Sequence, residues 1–154
     1  VIIDDVRLES GTPMFSAKVS SDITMSGTGA QAVVFDSEIV DRGNWYNNSS
    51  GKAVAPVSGD YVIKASIPCF KTSNSDEVDV ELFVNAVSVY QFGHLDTQHH
   101  GSSEQAIKSI LDIVYPLEAG DVVLIAVKES TGIGFKSNQF IRAIGATFSM
   151  KLMR

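Results

Sequence analysis

Val78-Asp79-Val80-Glu81-Leu82-Phe83-Val84 is the stretch of sequence that decides the fold. Every second side chain in it, from Val78 to Val84, is aliphatic, so an extended strand here has one continuous apolar face. Residues 61–67 and 146–152 alternate in the same way. A period of two repeated in separate parts of the chain predicts half-buried β-strands that share one core.

Short apolar stretches of this kind recur along the 154 residues and are separated by turn-forming Gly, Asn, Ser and Asp residues. Their spacing of roughly 8–12 residues is typical of an antiparallel β-sandwich. The predicted strands are Phe15–Val19, Ala32–Phe35, Gly51–Ala55, Tyr61–Ile67, Val78–Val84, Val87–Phe92, Val122–Val127 and Ile141–Leu152.

The segment at residues 103–115 fits two structures. Ala106, Ile107, Ile110, Leu111 and Val114 have helical spacing, whereas a strand would place Ile107, Leu111 and Ile113 on one side. Pro116 is expected to end the segment in either case. The pattern alone leaves helix and strand equally open.

Composition restricts the possible partners. The net charge is −6, which disfavours nucleic acid, and no apolar run is long enough to span a bilayer. Charged residues form only 19% of the chain while apolar residues form 44%, a balance that indicates surface covered by a partner chain. Cys69 is the single cysteine, so no intrachain disulfide is possible and packing alone must stabilise the fold.

Motifs from residue 15 to residue 152, taken in order, resemble the globular domain of the C1q/tumour-necrosis-factor superfamily. Gly59-Asp60-Tyr61 resembles the motif that opens the family's central strand, and Val54 departs from the family pattern by replacing its usual Phe. The other matching segments are Phe15-Ser16-Ala17, Phe35-Asp36, Tyr46, Gly51–Pro56, Glu81–Ala86, Leu117–Val123 and Ala146–Leu152.

The resemblance implies an all-β, antiparallel jelly-roll sandwich that assembles as a homotrimer. It favours a strand at residues 103–115, and it divides the chain into a C1q-like domain at 15–154 and a lead-in segment or end of a stalk at 1–14. Because the chain begins at Val1 rather than Met, we expect a fragment or a processed product. The departures from the family pattern indicate a divergent branch, such as the heads of phage or bacterial surface proteins.

One loop combines amides with an aromatic ring and is the predicted ligand-binding site. Asn44, Trp45, Asn47 and Asn48 could contact a sugar or a protein partner. The alternative is that Trp45 or the neighbouring Tyr46 packs into the core or the trimer interface. Asn47 and Asn48 each begin an Asn-x-Ser glycosylation sequence, relevant if the chain is secreted by a eukaryote.

A second polar segment contains every histidine of the chain. His94, Asp96, His99 and His100 are candidate metal ligands because imidazole and carboxylate groups suit first-row metals. The alternative is a polar loop with unrelated histidines, since the spacing matches no paired metal motif. The acidic stretches at 36–41 and 76–81 could bind calcium, although carboxylates that alternate along a strand more often form its solvated face.

Function is predicted from these features together. The sequence has neither a Gly-x-Ser-x-Gly elbow nor a P-loop, so we expect no enzyme and no required cofactor. The leading hypothesis is a trimeric recognition head of a viral or phage fibre or surface protein, located on the virion or outside the cell, that binds a receptor or glycan. The alternatives are a structural virion protein, a secreted C1q/TNF-like ligand, and a glycosidase with two carboxylates in one cleft.

Overall fold

The computed structural model describes residues 12–25, 29–71, 77–95, 105–129 and 139–153, and every helix or strand within these ranges is a β-strand. Within them no helix could cross a membrane. The strands are β1 (Met14–Lys18), β2 (Ile23–Thr24), β3 (Ala30–Ala32), β4 (Ser37–Arg42), β5 (Ala53–Val54), β6 (Gly59–Lys71), β7 (Val78–Val84), β8 (Val87–Leu95), β9 (Gln105–Leu117), β10 (Val122–Glu129), β11 (Gln139–Ile141) and β12 (Thr147–Leu152).

Two antiparallel sheets contain these strands. In sheet A the long strand β6 pairs on one side with β9 and on the other with β12 and β11. Strand β12 then pairs with β1, β1 pairs with β4, and β2 pairs with β11. Sheet B has the order β3-β10-β7-β8, and β5 pairs with β10 beyond the end of β3. The predicted all-β sandwich is confirmed.

The ambiguous segment is strand β9, so the helical alternative is wrong. It pairs with β6 over thirteen residues, which satisfies its backbone along one side. Burial alternates, with Leu111 in the core and Ile110 and Val114 exposed. Contrary to expectation, Pro116 does not end the strand, because β9 runs on to Leu117. Strand β9 forms an edge of sheet A among the described residues, and an edge strand tolerates a residue without an N–H group.

Pro68 lies inside the central strand β6, where a proline normally removes a ladder hydrogen bond. Its position explains why it is tolerated. Pairing with β12 ends at Ser66 and pairing with β11 begins at Cys69, so Pro68 lies where the partner strand changes. Its carbonyl still accepts a hydrogen bond from the N–H of Arg142 at 2.9 Å.

Several strand bounds differ from those expected. The sequence pattern at 36–41 indicates only an acidic stretch and does not predict strand β4, because the charges conceal the alternation at the edge of sheet A. Residues 141–152 were read as one strand, but a turn ending at Gly145 separates β11 from β12. The alternation predicts a strand at Ala32–Phe35, but only Ala32 belongs to β3, and the last bond to sheet B is the one from the N–H of Val33 to the carbonyl of Ile125 at 2.8 Å.

An aromatic cluster fills the core between the sheets. Phe15 contacts Trp45, Tyr46 and Phe148, with ring centroids 4.6–5.0 Å apart. The Tyr46 hydroxyl donates to the carbonyl of Phe35 at 3.1 Å and accepts from its N–H at 3.0 Å. Burial raises the pKa of Tyr46 to about 12, although the hydrogen bond with Phe35 acts in the opposite direction. Burial also raises the pKa of the Cys69 thiol to about 12, as expected of a small apolar core residue rather than a nucleophile.

Two turns at one end of sheet B are joined by side chains. Asn85 donates from Nδ2 to the Asp121 carboxylate at 2.9 Å and accepts from the N–H of Val122 at 2.9 Å. The other oxygen of Asp121 accepts from the N–H of Glu118 at 2.8 Å. These bonds lower the pKa of Asp121, the bond from Asn85 having the largest effect. The Gly-Asp element of the sequence therefore connects the β9–β10 turn to the β7–β8 hairpin.

Candidate functional site

The loop at residues 43–52, which joins β4 to β5, forms the candidate site. Its start is held by the carboxylate of Asp41, which accepts from the N–H of Trp45 at 3.1 Å and from that of Tyr46 at 3.2 Å. The indole N–H of Trp45 donates to the carbonyl of Arg42 at 3.1 Å. Strand β4 thus fixes the direction in which the loop leaves sheet A.

Asn47 organises the far end of the loop. Its Oδ1 accepts from the N–H of Ser49 at 2.8 Å and from that of Ser50 at 3.1 Å, and its carbonyl accepts from the N–H of Gly51 at 2.9 Å. Gly51 has a φ of 77°, and a Cβ at this position would lie 2.5 Å from the carbonyl oxygen of Val33. The turn therefore requires glycine, and most of its polar backbone groups are satisfied locally.

This loop and the neighbouring strands surround an open groove of about 520 Å³. Glu38 comes from β4 and Val54 from β5, and both are exposed. Glu38 and Lys52 are the charged side chains among the described groove residues, so their charges cancel. The groove is lined by Glu38, Asn44, Trp45, Tyr46, Asn47, Asn48, Ser50, Lys52 and Val54.

All four predicted ligand-binding residues line this groove, but they differ in accessibility. Asn44, Asn47 and Asn48 are exposed. Trp45 is only 6% exposed, and its ring packs against Phe15 and Tyr61 in the core. Trp45 therefore forms part of the groove's base and does not offer a free face to a sugar ring. Binding by these residues stays a prediction.

The sequence pattern does not identify Glu38, Ser50, Lys52 and Val54 as groove residues. The signal for the last two was present, because Lys52 and Val54 alternate with the buried Ala53 and Ala55 and so point outwards. Glu38 was counted with the acidic stretch at 36–41. In that stretch Asp41 binds backbone N–H groups of the loop, and Asp36 accepts bonds from the backbone N–H and hydroxyl of Ser20, so these carboxylates serve the fold.

Of the predicted metal ligands, only His94 lies in the described part of the chain. It is exposed, and its Nδ1 lies 2.6 Å from Oδ1 of Asp79, which also accepts from Nε2 of Gln91 at 3.2 Å. Asp96, His99 and His100 lie outside the described residues. Among residues that are described, no three His, Cys, Asp or Glu side chains come close enough to hold a metal ion.

A cleft with two carboxylates would be needed for the glycosidase alternative. Glu38 is the only carboxylate among the described side chains that line the groove. The arrangement offers hydrogen-bonding groups, a small aliphatic surface and no pair of carboxylates, which suits binding more than acid–base chemistry.

A second surface is the outward face of sheet A, directed away from sheet B. Val62 of β6 is paired with the exposed Val114 of β9, and Ile110 lies four residues before Val114 on the same strand. We call Val62, Ile110 and Val114 the apolar stripe, which is interrupted between Ile110 and Val114 by the exposed cross-strand pair Lys64 and Asp112. Beside it, Thr12, Val62, Lys151, Leu152 and Met153 line a hollow of about 330 Å³.

Two antiparallel sheets with this strand order define a jelly roll of the C1q/TNF kind, and comparison with known proteins gives the family. The C1q domain family matches residues 14–149, and the chain belongs to it. No curated protein sequence matches. Domains of this family are typically non-enzymatic recognition domains, commonly extracellular, that form trimers and bind receptors.

Solved structures with low sequence identity share the fold. The globular domain of zebrafish complement 1qA protein is 18% identical, with a TM-score of 0.67 over 93% of this chain and 98% of that one. Murine APRIL crystallised at pH 8.0 is 7% identical, with a TM-score of 0.63 over 92% and 98% of the two chains. The structure of APRIL at pH 5.0 gives 8% identity and a TM-score of 0.62 over 92% and 99%.

Proposed function

We propose that this chain is a non-enzymatic recognition head that works as a homotrimer. It is the C-terminal domain of a viral or phage fibre or surface protein, displayed on a virion or cell surface, and binds a receptor or glycan through the groove at residues 43–52. The observation that carries the proposal is the exposed apolar stripe on sheet A in a chain whose family forms trimers.

The outward face of sheet A has the features of an interface between copies. Ile110 is 63% exposed and Val114 is 55% exposed, although both lie within a paired strand rather than in a loop. Covering apolar surface contributes about 25 cal/mol per Å², so burial of Ile110 and Val114 against another copy would contribute favourably to association. Next to Ile110, the hydroxyl of Ser66 is shielded from water and has no hydrogen-bond partner among the described residues.

A three-fold ring needs two different patches that fit each other, because each copy contacts the next in a head-to-tail manner. The exposed side chains of Ile110 and Val114 are a candidate for one patch. The hollow beside Val62 and Met153 is a concave candidate for the other. Both belong to sheet A, so one sheet offers complementary features.

The groove lies away from the apolar stripe. Strand β4, which supplies Glu38, is at one edge of the described sheet A, and β9, which supplies Ile110 and Val114, is at the other. Four strand spacings separate the two edges, a distance of about 19 Å. Assembly through the stripe therefore leaves the groove open to a ligand.

The virion context is supported by the single cysteine and the divergent sequence. A domain that folds without disulfides suits assembly in a reducing cytosol, where virus particles form. A structural virion protein would share the stripe but would have no need of the groove.

The oligomeric state tests the proposal. We expect sedimentation equilibrium at micromolar concentration to give three times the mass of the 16.6 kDa chain, and Ile110→Asp to give a folded monomer. Val87→Asp is the matched control, since Val87 is 62% exposed but lies in sheet B beside a hairpin turn. A monomeric wild-type chain would contradict the proposal, as would an Ile110→Asp protein that remains trimeric.

A further inference from the structure

The groove at residues 43–52 limits the kind of ligand it accepts, because it is polar without being charged overall. Asn44, Asn48 and Ser50 present amide and hydroxyl groups that both donate and accept hydrogen bonds. Glu38 adds an acceptor and Lys52 adds a donor, and their charges cancel. Hydroxyl groups on neighbouring carbons of a sugar are complementary to such a set, since each hydroxyl also donates and accepts.

The apolar part of the groove is small. Val54 is 43% exposed, whereas Trp45 and Tyr46, the other apolar side chains on the described lining, are buried. No aromatic face is therefore offered for stacking, and the isopropyl group of Val54 remains as a small aliphatic contact. The acetamido methyl of an N-acetylated sugar matches a contact of this size, while its amide matches the asparagine side chains.

Charge also selects among sugars. The chain carries a net charge of −6, and the groove residues Glu38 and Lys52 add no local excess of positive charge. Sialylated or sulfated glycans would approach against an unfavourable potential without a basic cluster to receive them. Neutral glycans avoid this repulsion.

The loop is ordered before a ligand arrives. Asp41, Asn47 and Gly51 hold its backbone, so little conformational entropy is lost when the exposed amides of Asn44 and Asn48 engage a ligand. Weak contacts suffice in each groove if three copies in a trimer bind neighbouring sugars on one surface.

We infer that the groove binds neutral, N-acetylated glycans through hydrogen bonds from Asn44, Asn48 and Lys52 and an apolar contact with Val54. The inference rests on the proposed recognition function and adds the ligand class to it. It assigns Trp45 to the support of the groove and not to contact with the sugar ring.

The test uses the whole chain on immobilised chitotriose and N-acetyllactosamine, with sialyllactose and heparin as acidic probes. We expect binding to the two neutral probes. Asn48→Ala, Asn44→Gly and Val54→Ser should each lower the affinity about 5- to 10-fold, the scale of one lost hydrogen bond or small apolar contact. Asn44→Gly removes the amide while keeping the backbone relaxed, because Asn44 has a φ of 53°. Lys52→Met should weaken binding, and Lys128→Met, an exposed lysine outside the groove, should not.

Other outcomes overturn the inference. They include binding confined to the acidic probes, and binding that Asn48→Ala and Val54→Ser leave unchanged. A trimer that binds none of the probes overturns the ligand class but leaves the assembly proposal standing. A monomer that binds the neutral probes through the groove supports the ligand class and overturns the trimer.

Discussion

The loop at residues 43–52 and the outward face of sheet A differ in what they satisfy internally and what they leave exposed. The loop binds its own backbone through Asp41 and Asn47 and exposes amides. The sheet face satisfies its backbone by strand pairing and exposes Ile110 and Val114. A polar, self-supported loop gains little by being covered, whereas covering the exposed aliphatic side chains of Ile110 and Val114 is favourable. The two surfaces therefore suit different partners, a ligand for the loop and another copy of the chain for the sheet.

The largest expected effect is dissociation of the trimer by a substitution in the apolar stripe that leaves the affinity of the groove for sugar unchanged. Val114→Asp places a carboxylate beside Val62 and on the same face as Asp112, which already lies opposite Lys64, so another copy would bury an additional carboxylate that has no cation of its own. We expect the trimer to dissociate at micromolar concentration, because an unpaired buried charge costs several kcal/mol. Titration calorimetry with soluble chitotriose should then give an unchanged affinity for each chain. An equal loss of sugar affinity would show that the two surfaces are coupled.

Gly51→Ala is the next largest change and acts on the loop. A Cβ at Gly51 would clash with the carbonyl of Val33 in a backbone region that disfavours alanine, so we expect a loss of about 2–3 kcal/mol in the free energy of unfolding. Gly120→Ala is the control, since Gly120 also has positive φ but open space around it, and should lose about 1 kcal/mol. Urea unfolding at one protein concentration measures both, and equal losses would contradict the steric argument.

Asp41→Asn tests how far the loop depends on its carboxylate. Both oxygens of Asp41 accept from backbone N–H groups, and an amide keeps only one acceptor. We expect a loss of about 1–2 kcal/mol in stability and weaker glycan binding, with the trimer intact by sedimentation. Dissociation of the trimer would indicate that the loop contributes to assembly.

Ala86→Gly should stabilise the protein slightly without touching either surface. Ala86 has a φ of 66° in the β7–β8 hairpin, a conformation that glycine adopts without steric cost. We expect a gain of about 0.5–1 kcal/mol, visible as a higher melting temperature. A lower melting temperature would mean that the Ala86 methyl group makes a contact worth more than its backbone strain.

The smallest effect concerns acid stability. Hydrogen bonds from Ser20 lower the pKa of Asp36, and bonds from Asn85 and Glu118 lower that of Asp121. A carboxyl group whose pKa is lower in the folded state stabilises the protein above its unfolded pKa of about 4, and this stabilisation is lost as the pH falls through the folded value. Both groups are exposed, so the effect is small. We expect melting temperatures to fall below about pH 4, less steeply in Asp121→Asn; identical slopes would contradict this.

The sequence predicts strands correctly where apolar and polar residues alternate clearly. It does not predict them where tertiary packing determines the secondary structure. Val78–Val84 and Tyr61–Ile67 alternate clearly because each has one face in the core. The charged strand β4 was missed because an edge position exposes Glu38 and Ile39 alike. Residues 105–117 fit both the helical period and the strand period, and only their pairing with β6 decides between helix and strand.

The candidate site was predicted only in its contiguous part. Asn44, Asn47 and Asn48 are neighbours in the sequence, so their amides were visible as a cluster. Glu38 and Val54 join them only because β4 and β5, which belong to different sheets, end at the same loop. The orientation of the Trp45 ring depends on the hydrogen bond from its indole N–H to the carbonyl of Arg42, which no sequence period predicts.

The self-contained bonding of the loop has a consequence for how specificity can diverge. Since Asp41, Asn47 and Gly51 hold the backbone, natural variation or a combinatorial library can alter position 48 without refolding the domain. Position 44 tolerates fewer residue types than position 48, because its left-handed backbone conformation favours Asn, Gly or Asp. New binding preferences in this domain should therefore arise first by substitution at position 48. Position 44 should vary only among the few residue types that its backbone conformation tolerates.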